Sequence, residues 1–270
     1  MPIHFLSGMP RSGSTLMSAV LAQNPALHVV YHSPVAQVIT RLVNEMSTKE
    51  NEGGIFYTRE SRIRTLRGIF AAFYTDYHDK VIIDVSRRWC AHMALLNTLF
   101  PGSKTVACVR DVREILDSFE RLFQKNPEQV SRIINRPNTT VYDRVPILLE
   151  NDSVVGYSLN SMRQAYFGLF QENLLVVDYP DFAKSPKLVL RDLHAALQLE
   201  PFDYDFDNVK NHAGAEEVDR HLSTPGLHIV RPKVTYEPRF TCLPPDIWNH
   251  LPPPFWKQNA QKNHPVKKND

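Results

Sequence analysis

A chain of 270 residues, 43% hydrophobic and 22% charged, can bury one large core or two small ones, so most of it is expected to fold. Its 31 Lys and Arg nearly cancel its 29 Asp and Glu, which excludes a general role on nucleic acid or a membrane surface; any anion site must be local. Three cysteines, Cys90, Cys108 and Cys242, show no metal-ligand spacing, exclude a disulfide framework and fit a cytoplasmic compartment. The start, MPIHFLSGMPRSGSTL, has no basic n-region or long apolar h-region, and the chain has no apolar run of about 18 residues, so neither a signal peptide nor a membrane span is expected.

In chain order, Ile3 to Ser7 is a short apolar run closed by Gly8, and Thr15 to Ala22 has helical composition: strand, tight turn, helix. Pro34 to Met46 carries Val35, Val38, Ile39, Leu42 and Val43 at a helical period. Residues 47–58 are polar, contain Gly53-Gly54 and predict a loop. Ile63 to Tyr77 predicts a helix in which Phe70, Phe73 and Tyr74 read as core. Val81 to Ile83 predicts a second strand ending at Asp84, and Ala91 to Leu99 a helix closed by Pro101-Gly102. Thr105 to Val109 predicts a third strand, followed by a helix from Val112 to Phe123; Leu174 to Val177 a fourth; and Leu188 to Leu199 a further helix. Apolar strands separated by helices imply a parallel sheet covered on both faces, with ligands beyond the carboxyl ends of its strands.

Gly8-Met9-Pro10-Arg11-Ser12-Gly13-Ser14-Thr15 has the frame G-x4-G-x-T after a strand and before a helix, where backbone N–H groups and a helix N-terminus hold phosphate. One position departs: Ser14 stands where a nucleotide triphosphatase has lysine, and the cation lies inside the loop as Arg11. The expected fold is α/β, a P-loop-like three-layer α/β/α sandwich with a central parallel sheet: a single domain over 1–256 and a flexible tail over 257–270.

PRSGSTL resembles the 5′-phosphosulfate loop of the PAPS-dependent sulfotransferases (PAPS is 3′-phosphoadenosine-5′-phosphosulfate). The resemblance is to a bacterial small-molecule branch, distantly similar to tyrosylprotein sulfotransferases. It implies that Arg11, Ser12, Gly13, Ser14 and Thr15 grip the 5′-phosphate and sulfuryl oxygens. TVACVRDVREILDSF places Arg110 at a strand end and Ser118 eight residues on, matching the arginine–serine pair that holds the 3′-phosphate. Tyr179, in LVVDY, resembles a tyrosine near the nucleotide, with Pro180 where an acidic residue is usual. Thr224-Pro-Gly-Leu-His-Ile-Val-Arg-Pro-Lys233 resembles a nucleotide-covering loop, in which Arg231 and Lys233 would reach the 3′-phosphate or the adenosine. What is implied is a sulfotransferase that turns PAPS into 3′,5′-ADP without a metal, the arginines and helix dipole neutralising charge.

The acceptor side offers two places for a base. His32 lies 21 residues after Arg11, the spacing of the catalytic glutamate in tyrosylprotein sulfotransferases, and a histidine suits that role. Asp84-Val85-Ser86-Arg87-Arg88 is the other: Asp84 is either a base or an anchor, while Arg87 or Arg88 would stabilise the sulfuryl group but stay protonated. His32, Arg11 and Arg88 are the expected catalytic residues. The expected acceptor is a small molecule, natural products included, sulfated at a hydroxyl or an amine-type nitrogen; a homodimer is left open. Two rival activities remain at this point: sulfation of protein tyrosine, and a P-loop kinase in which Val81-Ile-Ile-Asp84 would be a magnesium-holding strand. A nucleotide-binding module without activity is the third alternative.

Overall fold

The computed structural model describes residues 2–47 and 52–258. Strands β1 (Ile3–Gly8), β2 (Leu27–Val30), β3 (Val81–Val85), β4 (Thr105–Val109) and β5 (Leu174–Asp178) form one sheet in the order β2-β3-β1-β4-β5. Every pairing is parallel, aligning Leu6 with Val85, Gly8 with Cys108, Val30 with Asp84 and Val109 with Asp178. All five strands therefore end on one edge. The chain leaves β1 toward β2 on one side and leaves β4 toward β5 on the other, so the crevice between β1 and β4 is the topological switch point.

The helices are α1 (Ser14–Leu21), α2 (Val35–Glu45), α3 (Arg59–Phe73), α4 (Met93–Leu99), α5 (Val112–Lys125), α6 (Val141–Leu149), α7 (Val154–Phe167), α8 (Tyr179–Lys184), α9 (Pro186–Leu197), α10 (Ala215–His221), α11 (Pro245–His250) and α12 (Phe255–Gln258). Strand side chains alternate between faces, and both faces are covered. Leu6, Val106 and Cys108 pack on Met17 and Val20 of α1 and Leu190 of α9. Their neighbours Phe5 and Ile82 pack on Ile39 of α2 and Phe70 of α3, while Ala107 and Val109 meet Ile115 and Phe119 of α5. Burial on both faces is why the strands read as unbroken apolar runs, each buried large side chain contributing about 1.5–3 kcal/mol.

The sequence reading missed β2. It is four residues long, His28 interrupts its apolar character, and its strand geometry comes from pairing with β3. It also missed α6 and α7, whose faces pack on α5 and on each other. The helix expected at Ile63 to Tyr77 runs from Arg59 to Phe73, because Thr58 caps it by accepting from Ser61 N (3.1 Å). Phe70 and Tyr74 are core residues, but Phe73 is 46% exposed. Of the loop expected at 47–58, residues 48–51 lie outside the described residues and Glu52–Phe56 forms a 3-10 turn. Lys257, expected to begin the tail, instead sits in α12 and donates to Asp178 (2.7 Å); residues 259–270 lie outside the described residues.

Gly8 is where β1 leaves the sheet, with φ +121°, and a Cβ there would lie 2.1 Å from the Cys108 carbonyl oxygen. Gly8→Ala must displace backbone as well as adopt a strained dihedral, so it should destabilise the fold by about 3 kcal/mol. Urea unfolding checks this as a lowered midpoint with an unchanged slope.

Candidate active site

After β1 the chain passes through three left-handed residues, Gly8, Arg11 (φ +57°) and Gly13 (φ +87°), and enters α1. No side chain caps α1, so its first-turn N–H groups and positive dipole end are directed at the crevice unclaimed by the protein's own side chains. A helix N-terminus left open in this way can hold an anion. Gly13 is required because a Cβ would come within 2.6 Å of the Tyr179 ring. Ser12, predicted to grip phosphate, is 1% exposed, and its hydroxyl lies 2.8 Å from the Cys108 carbonyl and 2.5 Å from that of Met9. Its side chain therefore ties the loop to β4 and leaves only its backbone for a ligand. Ser14 and Thr15 are half-buried in the first turn of α1.

Arg11 spans the crevice. Its Nε donates to Ser118 Oγ (3.0 Å) and its Nη1 to the carbonyl of Leu227. Arg110, at the end of β4, donates from Nη1 to the Arg11 carbonyl (3.3 Å) and from Nε to Glu114 (2.8 Å). Its guanidinium lies 4.6 Å from the centre of the Tyr179 ring. The fold thus brings Arg11, Gly13, Arg110, Ser118 and Tyr179 together. Burial, and then the charges of Arg110 and Arg239, push the Arg11 guanidinium down to about 10. Such crowding of cations is relieved by a bound anion. Arg239, which the sequence reading passed over, is held near Arg11 by Asp117 (3.4 Å).

Beside this cation cluster lies a group of neutral rings. Tyr31 stacks on His212 with centroids 4.4 Å apart, and His212 Nε2 is 2.8 Å from Ser18 Oγ on α1. His32 follows with φ +51°, a strained dihedral held by Ser33, whose N donates to the Val85 carbonyl (3.1 Å). His32 Nε2 is 3.2 Å from Nε2 of His228, and His228 Nδ1 is 2.6 Å from Oδ1 of the buried Asp219. Enclosure by protein atoms, then His228 and the Arg87 charge, depress His32 to about 4. Burial, Arg11 and Arg87 depress His228 as well, against the pull of Asp219.

His228 and Asp219 are functional candidates that the sequence reading missed. His228 lies in the segment from Thr224 to Lys233, but its Asp219 partner nine residues earlier becomes visible only once α10 and that segment fold together. The remaining expected residues make other contacts, although Arg231 lies near enough to Tyr179 for its charge to act there. Arg87 and Arg88 are both exposed; the charge of Arg88 acts on His92 and on Arg87, and that of Arg87 on Tyr31, His32 and His228. Arg231 pairs with Glu237, and Lys233 with Asp207 (2.7 Å), in ion pairs whose members are all more than 60% exposed.

The model of the Sulfotransferase family matches residues 2–204. The chain belongs to that family. No curated protein matches the sequence significantly. Similar solved structures include the sulfotransferase domain of the Synechococcus PCC 7002 olefin synthase, 20% identical over 75% of this chain and 74% of that one, with a TM-score of 0.48. A sulfotransferase from Alicyclobacillus acidocaldarius is 14% identical over 83% of this chain and 92% of its own, with a TM-score of 0.48. Mouse sulfotransferase SULT7A1, complexed with PAP, is 15% identical over 74% and 59%, with a TM-score of 0.42.

In this sulfotransferase, Asp84 is an anchor. It is fully buried and accepts from Tyr74 Oη, Trp89 Nε1 (2.8 Å) and Ser33 Oγ (2.8 Å), which leaves its carboxylate engaged on both oxygens. The magnesium strand of a kinase is thus accounted for as a hydrogen-bonding hub. Among the described residues no group of three or more His, Cys, Asp or Glu is placed to hold a metal ion, and no helix is long and apolar enough to cross a membrane.

Six histidines, His4, His28, His32, His92, His212 and His228, have pKa values lowered in the fold, each mainly by burial. The unfolded chain binds protons at these groups near 6.5 and the folded chain does not until lower pH. Their stabilising contribution is therefore complete above about pH 6.5 and declines as pH falls toward 4; Asp84, raised by burial, acts in the opposite sense. Thermal unfolding followed by circular dichroism should show a falling Tm across that window. A flat Tm there would contradict the lowering of these pKa values in the fold.

Proposed function

We propose that this sulfotransferase moves the sulfuryl group of PAPS to a hydroxyl or amine-type nitrogen of a small-molecule acceptor, releasing 3′,5′-ADP. The observation that carries the reading is the meeting of two cationic elements in one crevice: the uncapped α1 N-terminus with Arg11, whose side chain reaches Ser118, and Arg110 at the end of β4, bonded to the Arg11 carbonyl. A donor with a phosphate at each end of its ribose satisfies both. On binding, donor oxygens would replace the Leu227 and Ser118 contacts of Arg11, and its charge would follow the negative charge that grows on the leaving phosphate. The acceptor's lone pair forms the new bond to sulfur as the bond from sulfur to the phosphate oxygen breaks. The acceptor's proton passes to the His32/His228 pair, next to Arg11 and Arg87. The near-balanced charge supports a small acceptor over an acidic polysaccharide.

Calorimetry without magnesium should show 3′,5′-ADP binding about ten- to a hundredfold more tightly than 5′-AMP. Arg110→Ala should collapse that difference. Equal binding of the two nucleotides by the native protein overturns the reading. With an acceptor found by screening phenols, alcohols and amines, His32→Ala should lower turnover at least about tenfold while leaving 3′,5′-ADP affinity nearly unchanged.

A further inference from the structure

We infer that Asp219, His228 and His32 form a hydrogen-bonded chain with a fixed direction, in which Nδ1 of His32 takes the acceptor's proton and His228 is a positioning residue. This rests on the sulfuryl-transfer reading and decides which atom of the histidine pair is the base.

The direction follows from counting donors, beginning at the buried end. Asp219 is 2% exposed, and its two carboxylate oxygens each accept from the backbone N–H of His228 at 3.1 Å. Arg11 lies close enough for the two opposite charges to act on each other. Asp219 is thus an anion, and an ionised carboxylate only accepts. Its 2.6 Å contact with His228 Nδ1 therefore places a proton on Nδ1. A neutral imidazole has one N–H and one lone pair, so Nε2 of His228 carries the lone pair. That nitrogen is 3.2 Å from Nε2 of His32 and must accept from it. His32 then has its proton on Nε2 and its lone pair on Nδ1.

The surroundings agree with this assignment. Among the described residues His32 Nδ1 has no hydrogen-bond partner, and His32 is exposed, whereas the His228 side chain is 16% exposed. The groups facing His32 are Tyr31 beside it, His228 and Asp219 from the covering segment, His212 from the segment before α10, and Arg87 from the loop after β3. Arg87 opposes protonation of His32 and Asp219 favours it, so the bound donor, an anion set against these cations, makes His32 a stronger base than it is in the free protein. In the transfer step the acceptor's X–H proton goes to His32 Nδ1, and the imidazolium keeps its Nε2–H on His228. The new charge is balanced through His228 by buried Asp219, as in other chains where a carboxylate fixes a histidine tautomer.

The test is heteronuclear NMR of the full chain with nitrogen-labelled histidine near neutral pH, which reads the tautomer of each ring. Expected are His228 as the Nδ1–H tautomer and His32 as the Nε2–H tautomer, with the His32 titration moving upward on addition of 3′,5′-ADP. A His32 found mainly as the Nδ1–H tautomer overturns the chain. His228→Gln keeps an acceptor toward His32 and should retain the His32 tautomer with a loss of turnover under about tenfold; His228→Leu should lose both, by about a hundredfold. Retained 3′,5′-ADP binding shows that each variant is folded. His228→Leu with native turnover and an unchanged pH profile also overturns the chain. Failure of the native protein to bind 3′,5′-ADP, with both tautomers as expected, would instead remove the donor reading.

Discussion

Much of this molecule depends on the close approach of two backbones where β1 ends against β4. Gly8 lies so near Cys108 that no side chain fits, and Met9 N donates to the Cys108 carbonyl (2.9 Å). From that point the chain must turn out of the sheet rather than continue it. The Ser12 hydroxyl, buried against the same carbonyl, holds the turn in place. The turn in turn puts Arg11 in a left-handed conformation from which its side chain crosses the switch-point crevice to Ser118. A parallel sheet makes all its strand ends available on one edge, and this contact decides which two of them share a site.

The site separates two kinds of electrostatic environment within one crevice. On one side, Arg11, Arg110 and Arg239 are crowded enough that Arg11 holds its proton less tightly, a field suited to a polyanion. On the other, Tyr31, His212 and His228 are partly buried and His32 is exposed; the surrounding protein and nearby cations lower the pKa values of the three imidazoles, with Asp219 as the buried carboxylate that offsets the nearby guanidinium groups. Neutral imidazoles beside cations are what a reaction needs if it neutralises an anionic leaving group and removes a proton in the same step. The covering segment from Asp219 to His228 joins the two sides: its Leu227 carbonyl accepts from Arg11 and the next residue reaches His32.

The parts of the fold that could be read along the chain are those whose cause is local. A run of apolar residues ending in glycine, then a helix, identifies β1, the loop after it and α1, because the strand is buried on both faces and the turn needs glycine. The same holds for β3, β4 and α5. The short edge strand β2 and the helices α6 and α7 carry weaker local patterns and take their form from neighbours.

The sequence alone determined the α/β class, the glycine-bearing loop after β1 and the family, since each rests on residues adjacent in the chain or at helical spacing. Tertiary structure decided the rest of the site. It turned Ser12 inward, made Asp84 a hydrogen-bonding hub, left Arg231 and Lys233 in surface ion pairs, and let the charge of Arg87 act on His32. It also joined His32 to His228 across 196 positions of sequence. The charge state and proton direction of a histidine depend on partners within about 3 Å, and for these residues the partners come from segments that meet only when the sheet closes its crevice.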